Sequence, residues 1–192
     1  VIMGAFLLLV GVAGLMGMQA SNKGLETVYN DRVVPLKQLK TIGDEYAVSV
    51  TDTVNKANAG LLTAEEAAAS IQRASDTIRK NWDEYISTSL TIEEKRMADD
   101  ADKLFSIADN AIIQLANHLR TLRGLVPGQL NEFDGKLYQS IDPISNQIGE
   151  LVQLQLDEAN QEYQSAVENY QNIRNMEIGA IVLALVLGIG FG

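Results

Sequence analysis

Residues 91–125, TIEEKRMADDADKLFSIADNAIIQLANHLRTLRGL, carry the clearest structural pattern in the chain. They open with Thr91-Ile-Glu-Glu94, a capping box in which hydroxyl and carboxylate satisfy backbone N–H groups of the first helical turn. The residues of one face then recur at alternating intervals of four and three, at Leu104, Ala108, Ala111, Leu115, His118, Leu122 and Leu125. Such a heptad seam predicts a helix that packs along its length against other helices.

The residues before this stretch repeat the pattern in two further helices. Thr63-Ala-Glu-Glu66 is a second capping box and starts helix two, whose seam is Ala68, Ile71, Ser75, Ile78, Trp82 and Tyr85. Helix one should bend at Pro35, which lacks a backbone donor, and end at Asn58-Ala-Gly60. The apolar positions of helix one are Leu25, Val28, Leu36, Leu39, Tyr46, Val50 and Ala57.

The residues after the stretch predict a turn and a fourth helix. The turn covers Gly124 to Gly128 and contains Pro127. Helix four is predicted from about Gln129, with a slight kink at Pro143. Its apolar positions are Leu130, Phe133, Leu137, Ile141, Ile144, Ile148 and Leu151, followed by a thinner stripe at Ala159, Tyr163, Ala166 and Tyr170.

The connections between these helices are short, so neighbouring helices should be antiparallel. No run of alternating β-branched residues predicts a strand. The predicted fold class is therefore all-α, an antiparallel up-down-up-down four-helix bundle. In this bundle the turns at 58–62 and 124–128 should lie together at the end away from the chain termini.

Both ends of the chain lack charged residues, since all 15 Lys and Arg and all 25 Asp and Glu lie between Lys23 and Glu177. This layout predicts transmembrane helix 1 at 1–20, a sensor domain at 21–177 and transmembrane helix 2 at 178–192. Helices one and four should be continuous with the membrane helices, each truncated in this chain. A cleaved signal peptide is the alternative for the first segment, and no basic n-region favours it. A buried core helix is the alternative for the second.

Composition and charge exclude several function classes. A net charge of −10 leaves no basic patch that could follow nucleic-acid phosphates. The chain has no cysteine and one histidine, His118, which is too few for a zinc site or a catalytic triad. We therefore expect no enzyme activity, no metal and no cofactor. His118, Trp82 and Tyr85 lie on helix seams and are interpreted as core residues, His118 as a satisfied one, with a ligand contact as its alternative.

The order of these elements, with Tyr29-Asn-Asp-Arg-Val-Val-Pro35-Leu following the first apolar segment, resembles a known family. It is similar to the four-helix-bundle ligand-binding domain of bacterial methyl-accepting chemotaxis proteins, over essentially the whole chain. The resemblance implies a periplasmic sensor domain whose flanking helices anchor it in the lipid bilayer of the inner membrane. It also implies a homodimer that packs through helix one. It also implies a HAMP domain and a signalling domain beyond Gly192. Cytoplasmic signalling proteins would bind only to that part of the receptor.

The best-known members of that family hold a small carboxylate with arginines of helix one. The outer half of helix one has no arginine here, so the resemblance does not imply an amino-acid ligand. We hypothesise that a small organic or aromatic acid binds with its carboxylate paired to Arg73 or Arg79. Thr51, Asn55 and Tyr138 would add polar contacts. The alternative is that these side chains are solvated surface groups on an acidic bundle.

The predicted function is that of a sensory domain of a transmembrane chemoreceptor. It would bind a small molecule and transmit the signal through helix four across the membrane. Two alternatives remain open. One is the sensor domain of a histidine kinase or other two-component transmembrane receptor, and the other is a structural membrane protein without a ligand.

Overall fold

The structure is a computed structural model that describes residues 2–133 and 135–190, and the side chains of 11–133 and 135–186 within them. The predicted membrane segments at 1–20 and 178–192 fall partly outside these limits, at residues 1, 191 and 192 and at the side chains of 2–10 and 187–190. Over its described residues, none of the helices has the length and mean hydropathy that crossing a bilayer requires.

The described residues form four helical stretches. The first, residues 2–58, contains three α-helices joined by two π-helical segments, with the bounds α1 Ile2–Val28, π Tyr29–Val33, α2 Val34–Asp44, π Glu45–Asp52 and α3 Thr53–Asn58. The other three stretches are α4 Ala64–Ile86, α5 Ile92–Thr121 and α6 Lys136–Gly190. Over 2–133 and 135–190 the regular structure is helical, with an isolated β-bridge between Thr63 and Leu125. The all-α, four-helix prediction is confirmed; the antiparallel order and the flanking membrane helices stay predictions.

The chain divides into two compact units. The central unit is Val33–Leu156, and the terminal unit combines Val1–Arg32 with Asp157–Gly192. These limits differ from the predicted boundaries at 20 and 177, which stay predictions. In the terminal unit the Arg32 guanidinium lies 2.9 Å from a Glu162 carboxylate oxygen and 3.6 Å from one of Glu158. The first and last helical stretches are therefore paired within that unit.

The four stretches of the central unit close into a ring of contacts, each touching two others. A Cβ built on Gly43 of α2 would lie 3.9 Å from Cγ2 of Ile148 in α6, which places these two helices side by side. The remaining neighbours are joined by hydrogen bonds, from Gln38 to Glu84 at 3.3 Å, from Trp82 to Asp102 at 2.7 Å and from Gln147 to the Met97 carbonyl at 3.0 Å.

The buried core confirms most predicted apolar positions of the central unit and shifts the seam of α5, whereas four predicted positions of the terminal unit, Leu25, Tyr163, Ala166 and Tyr170, are exposed. Leu39, Ile71, Ile144 and Leu151 are fully buried, and each such side chain stabilises the fold by about 2 kcal/mol. On α5 the buried residues are Met97, Ala98, Ala101, Phe105, Ala108, Ile112, Leu115, Ala116 and Leu119. The predicted seam positions Leu104, Ala111, His118 and Leu122 are half-buried, and Leu125 is exposed. Because α5 packs between α4 and α6, its buried face is wider than one heptad seam.

Two π-helical segments interrupt the first stretch, and the first of them lies next to Pro35. The first stretch continues past Pro35, which lies in the first turn of α2, and the bend there stays a prediction. Proline has no N–H, so the Asp31 carbonyl lacks the donor that a regular helix would supply. Arg32 Nη1 donates to this carbonyl at 3.3 Å. The side chain thus replaces part of the missing backbone hydrogen bonding.

Both capping boxes form as predicted. At α4 the backbone N–H of Thr63 donates to Glu66 at 2.9 Å, and the backbone N–H of Glu66 donates to the Thr63 hydroxyl at 3.2 Å. At α5 Thr91 and Glu94 form the same reciprocal pair. Glu94 is buried and also accepts a hydrogen bond from the Gln155 side chain. The start of α5 is therefore tied to α6 through a polar group in the core.

The first stretch ends in a Schellman turn at the predicted place. Leu61 N–H donates to the Lys56 carbonyl at 2.8 Å and Gly60 N–H donates to the Ala57 carbonyl at 3.0 Å. Gly60 has φ +75, a conformation that glycine adopts without a steric penalty. The backbone therefore leaves the helix at Asn58, where the sequence predicts its end.

The turns at 58–62 and 124–128 meet, as predicted, and Asn58 joins them. Its side chain accepts from Leu130 N–H at 2.9 Å and donates to Asn131 Oδ1 at 2.7 Å. Its carbonyl accepts from Gly128 N–H at 2.8 Å. The prediction that helix four begins near Gln129 is wrong, because residues 127–133 form turns and α6 begins at Lys136. Leu130 is nevertheless buried, from the loop rather than from a helix.

Replacing Asn58 with Ala should destabilise the protein by about 2 kcal/mol, because it leaves the part-buried Leu130 N–H without its acceptor. Urea unfolding followed by circular dichroism measures this. Asn117→Ala, at an exposed position of α5, is the matched control and should change stability by less than about 0.5 kcal/mol. Equal effects of the two substitutions would show that the Asn58 contacts do not hold the turns together.

The capping box of α4 should make stability depend on pH. Hydrogen bonds from Thr63 hold the pKa of the Glu66 carboxyl below its usual value. A lowered folded-state pKa contributes stability that is present above the unfolded-state pKa and is lost as the pH falls. Glu66→Gln should therefore reduce the loss of stability between about pH 5 and pH 3. Urea midpoints measured at both pH values test this, with the exposed Glu150→Gln as control. If the urea midpoint falls by the same amount between the two pH values in both variants, the prediction is contradicted.

Candidate functional site

Two of the predicted site residues meet on the surface. Asn55 Nδ2 donates to the Tyr138 hydroxyl at 3.4 Å, which joins the end of the first stretch to α6. Thr51 lies one turn before Asn55, and its hydroxyl donates to the Tyr46 carbonyl at 3.0 Å within the π-helical segment. Asn55 and Tyr138 are exposed, so their remaining hydrogen-bonding capacity faces solvent.

Arg79 lies elsewhere, on the flank of α4 that faces α5. Its guanidinium donates to the Asp109 carboxylate at 2.8 Å. It also lines a groove of about 240 Å³ between α4 and α5, whose apolar floor includes Ile71, Ile112 and Ala116. Arg120 lines the same groove at its other end. The groove thus carries a guanidinium at each end.

Arg73 is exposed and lines neither groove described in this section. Ser70, one turn before it on α4, contacts Thr53 of the first stretch at 3.3 Å, whereas Arg79 faces α5. The two arginines therefore lie on different flanks of α4. Within one chain, the structure joins Asn55 to Tyr138 but does not gather the predicted site residues into one cavity.

A larger groove, of about 400 Å³, lies between α5 and the start of α6. Its apolar lining is Ile107, Ala111, Phe133 and Leu137. Its polar lining is Asn110, Gln114, Glu132, Lys136, Gln139 and Ser140. Sequence reasoning missed this groove, because Glu132 and Phe133 line it from a turn, where the sequence predicts a regular helix. The spacing of Ile107, Asn110, Ala111 and Gln114 on one helix face was the available signal.

His118 lies beyond one end of this groove and is not the satisfied core histidine that its seam position predicts. Its side chain is half-buried and its ring packs against Phe133, with centroids 5.1 Å apart. Nδ1 lies 3.8 Å from a Glu132 carboxylate oxygen, while the buried Nε2 has no hydrogen-bond partner among the described residues. The ring is therefore in apolar contact, as predicted, but its Nε2 is not satisfied by any residue that the structure describes.

An aromatic cluster fills the core beside Arg79 and Asp109. The Trp82 ring packs at a tilt against the rings of Phe105 and Tyr85, with centroids 4.6 Å and 5.4 Å away. Trp82 and Tyr85 are buried core residues, as predicted. Tyr46 lies 6.2 Å from Phe105 and is fully buried. Burial, with a smaller contribution from the Asp109 charge, raises the pKa of the Tyr46 hydroxyl far above its usual range. The hydroxyl therefore stays neutral at physiological pH.

Metal binding has no geometric support in the part of the chain that the structure describes. There, no three His, Asp or Glu side chains come together as a metal site would require. The two grooves and the Asn55–Tyr138 contact are thus the candidate sites for a small molecule.

Comparisons with known proteins agree with this picture. A family model described as "Four helix bundle sensory module for signal transduction" matches residues 1–170. The chain is 36% identical over 178 residues to the methyl-accepting chemotaxis protein NahY of Pseudomonas putida, an alignment that covers 91% of this chain and 32% of the relative. It therefore spans about a third of that protein's length. No solved structure matches. The chain belongs to the family of four-helix-bundle sensory modules for signal transduction, as its resemblance to methyl-accepting chemotaxis proteins predicted.

Proposed function

We propose that this chain is the sensory domain of a transmembrane chemoreceptor that binds a small organic or aromatic acid. The match to a sensory module over residues 1–170 is the observation that carries the proposal. The family is one of sensory modules rather than of enzymes. Because the relative is a methyl-accepting chemotaxis protein, a chemoreceptor is favoured over the sensor of a histidine kinase.

Arg79 is the proposed partner of the ligand carboxylate. It stands at the edge of the α4–α5 groove, where the exposed side chain of Ile113 offers apolar surface to the remainder of the ligand. Its present partner is Asp109, at 2.8 Å. A bound carboxylate would replace Asp109 in a charge-assisted pair of the same geometry. Arg73 is the alternative cation, exposed on the other flank of α4.

Thr51, Asn55 and Tyr138 are the proposed polar contacts in an assembled receptor. Thr51 and Asn55 belong to the first helical stretch, through which the homodimer is proposed to pack. In such a dimer these side chains would lie at or beside the second copy. The Asn55–Tyr138 hydrogen bond supports this proposal, because it already groups two of the three side chains.

The membrane topology is proposed from the sequence. The uncharged ends of the chain would cross the inner membrane, and the four-helix bundle, with its helices antiparallel, would stand in the periplasm. Exposed apolar side chains of the terminal unit support this, among them Leu15, Met18, Leu185 and Val186. α6, one helix from Lys136 to Gly190, would carry the signal inward to cytoplasmic proteins that bind further parts of the receptor. A ligand drives such a change only if it binds the two signalling states with different affinity.

Binding of benzoate, measured by calorimetry on the full chain in lipid nanodiscs, tests the carboxylate site. Arg79→Gln should weaken binding by about tenfold or more, since it removes a charge-assisted pair. Asp109→Asn should tighten binding, because it frees Arg79 from a competing carboxylate.

Arg73→Gln is the matched control, since it changes the net charge equally at an exposed position of the same helix. A loss of binding in Arg73→Gln but not in Arg79→Gln would move the site to the other flank of α4. Benzamide has the shape of benzoate without its charge, and equal affinity for both compounds would contradict a carboxylate site.

The chain has no cysteine, so one introduced thiol reports its location without background. Leu61→Cys lies in the 58–62 turn at a position that is 71% exposed. In whole cells whose outer membrane is opened, a membrane-impermeant maleimide should label it fully. Labelling that requires lysis of the inner membrane would contradict the periplasmic location.

A further inference from the structure

The two grooves differ in how their polar side chains are already used. In the α4–α5 groove, Arg79 pairs with Asp109, and Gln72 bonds to both Asp76 and Arg120. In the α5–α6 groove the side chains of Asn110, Gln114 and Gln139 form no hydrogen bond with any described residue. The second groove therefore presents amide donors and acceptors that are free to bind a ligand.

The α5–α6 groove also has the form of a small-molecule site. Its volume of about 400 Å³ lies in the range of ligand pockets. Leu137 is buried at its floor, and the half-buried ring of Phe133 lines the same groove. The floor of the groove is thus apolar, and amide groups from two helices line its sides. In small-molecule sites, such polar groups fix the orientation of a ligand that packs on the apolar surface.

The polar lining is suited to hydroxyl groups rather than to a net charge. Each amide offers two donors and an acceptor, and each ligand hydroxyl is both a donor and an acceptor. Among the described residues, the charged ones that line the groove are one cation, Lys136, and one anion, Glu132. Neither sign dominates, so a charged ligand gains little over a neutral one. The aromatic face of Phe133 can pack against the C–H face of a saturated ring.

We propose that the α5–α6 groove binds a neutral polyhydroxylated ring, that is, a monosaccharide. Asn110 and Gln114 bind its hydroxyls from α5, and Gln139 binds them from α6. Phe133 and Leu137 pack against its apolar face. The proposal goes beyond the carboxylate site, because it uses another face of α5 and shares no residue with Arg79 and its groove.

Ligand-observed NMR and calorimetry on the full chain in lipid nanodiscs test this proposal, with D-glucose and D-galactose as neutral probes. D-glucuronate and D-glucosamine keep the ring and add one negative or one positive charge. We expect saturable binding of at least one neutral hexose, and weaker binding of both charged sugars. Gln114→Ala and Gln139→Ala should each weaken hexose binding by about tenfold, because each removes hydrogen bonds to ligand hydroxyls.

Controls separate this site from the carboxylate site. Asn117→Ala, exposed on α5 and outside the groove, should leave hexose affinity unchanged. Arg79→Gln should also leave it unchanged, and Gln114→Ala should leave benzoate affinity unchanged. The proposal is overturned if neither hexose saturates at millimolar concentration, if both glutamine variants bind as the parent does, or if glucuronate or glucosamine binds more tightly than glucose.

Discussion

Burial of one wide apolar face on each helix is the constraint on which the central unit depends. A single helix cannot hide such a face from water, and four helices in a ring can. Leu39, Ile71, Leu115 and Ile144 are fully buried and come from the four stretches in turn. At about 2 kcal/mol for each buried side chain, the summed burial of the core contributes far more than any single polar contact. The polar groups therefore act as local determinants of where helices begin, end and meet.

Asn58 and Glu94 show how polar groups define the two ends of the central unit. Asn58 satisfies backbone N–H groups of the loop that follows α5 and so delays the start of α6. Glu94 closes the capping box of α5 and accepts a hydrogen bond from Gln155 of α6. Between these ends the helices are in apolar contact, and the two grooves lie on the outside between neighbouring helices. The candidate ligand sites lie in these grooves, on a scaffold that the core keeps in place.

The two grooves suggest that one sensory bundle can present different chemistry on different flanks. The α4–α5 groove has guanidinium groups engaged by protein partners, so a ligand there must compete with Asp109. The amides of the α5–α6 groove form no hydrogen bond with any described residue, so a ligand there has no protein partner among those residues to displace. Both grooves use α5, whose buried face is wide enough to pack against two helices at once.

Helix existence, capping and chain turns could be read from the amino-acid sequence, because they depend on neighbours within a few residues. The capping boxes at Thr63 and Thr91 and the end of the first stretch at Gly60 formed where local chemistry predicts them. The same local reasoning placed the start of helix four too early, since Asn58 acts on that loop across a sequence separation of 72 residues. It also gave Arg73 and Arg79 as alternative partners for one carboxylate, and the packing of α4 places them on different flanks. Which polar side chains share a groove depends on how the helices pack around the core, and that arrangement arises only when all four apolar faces are buried together.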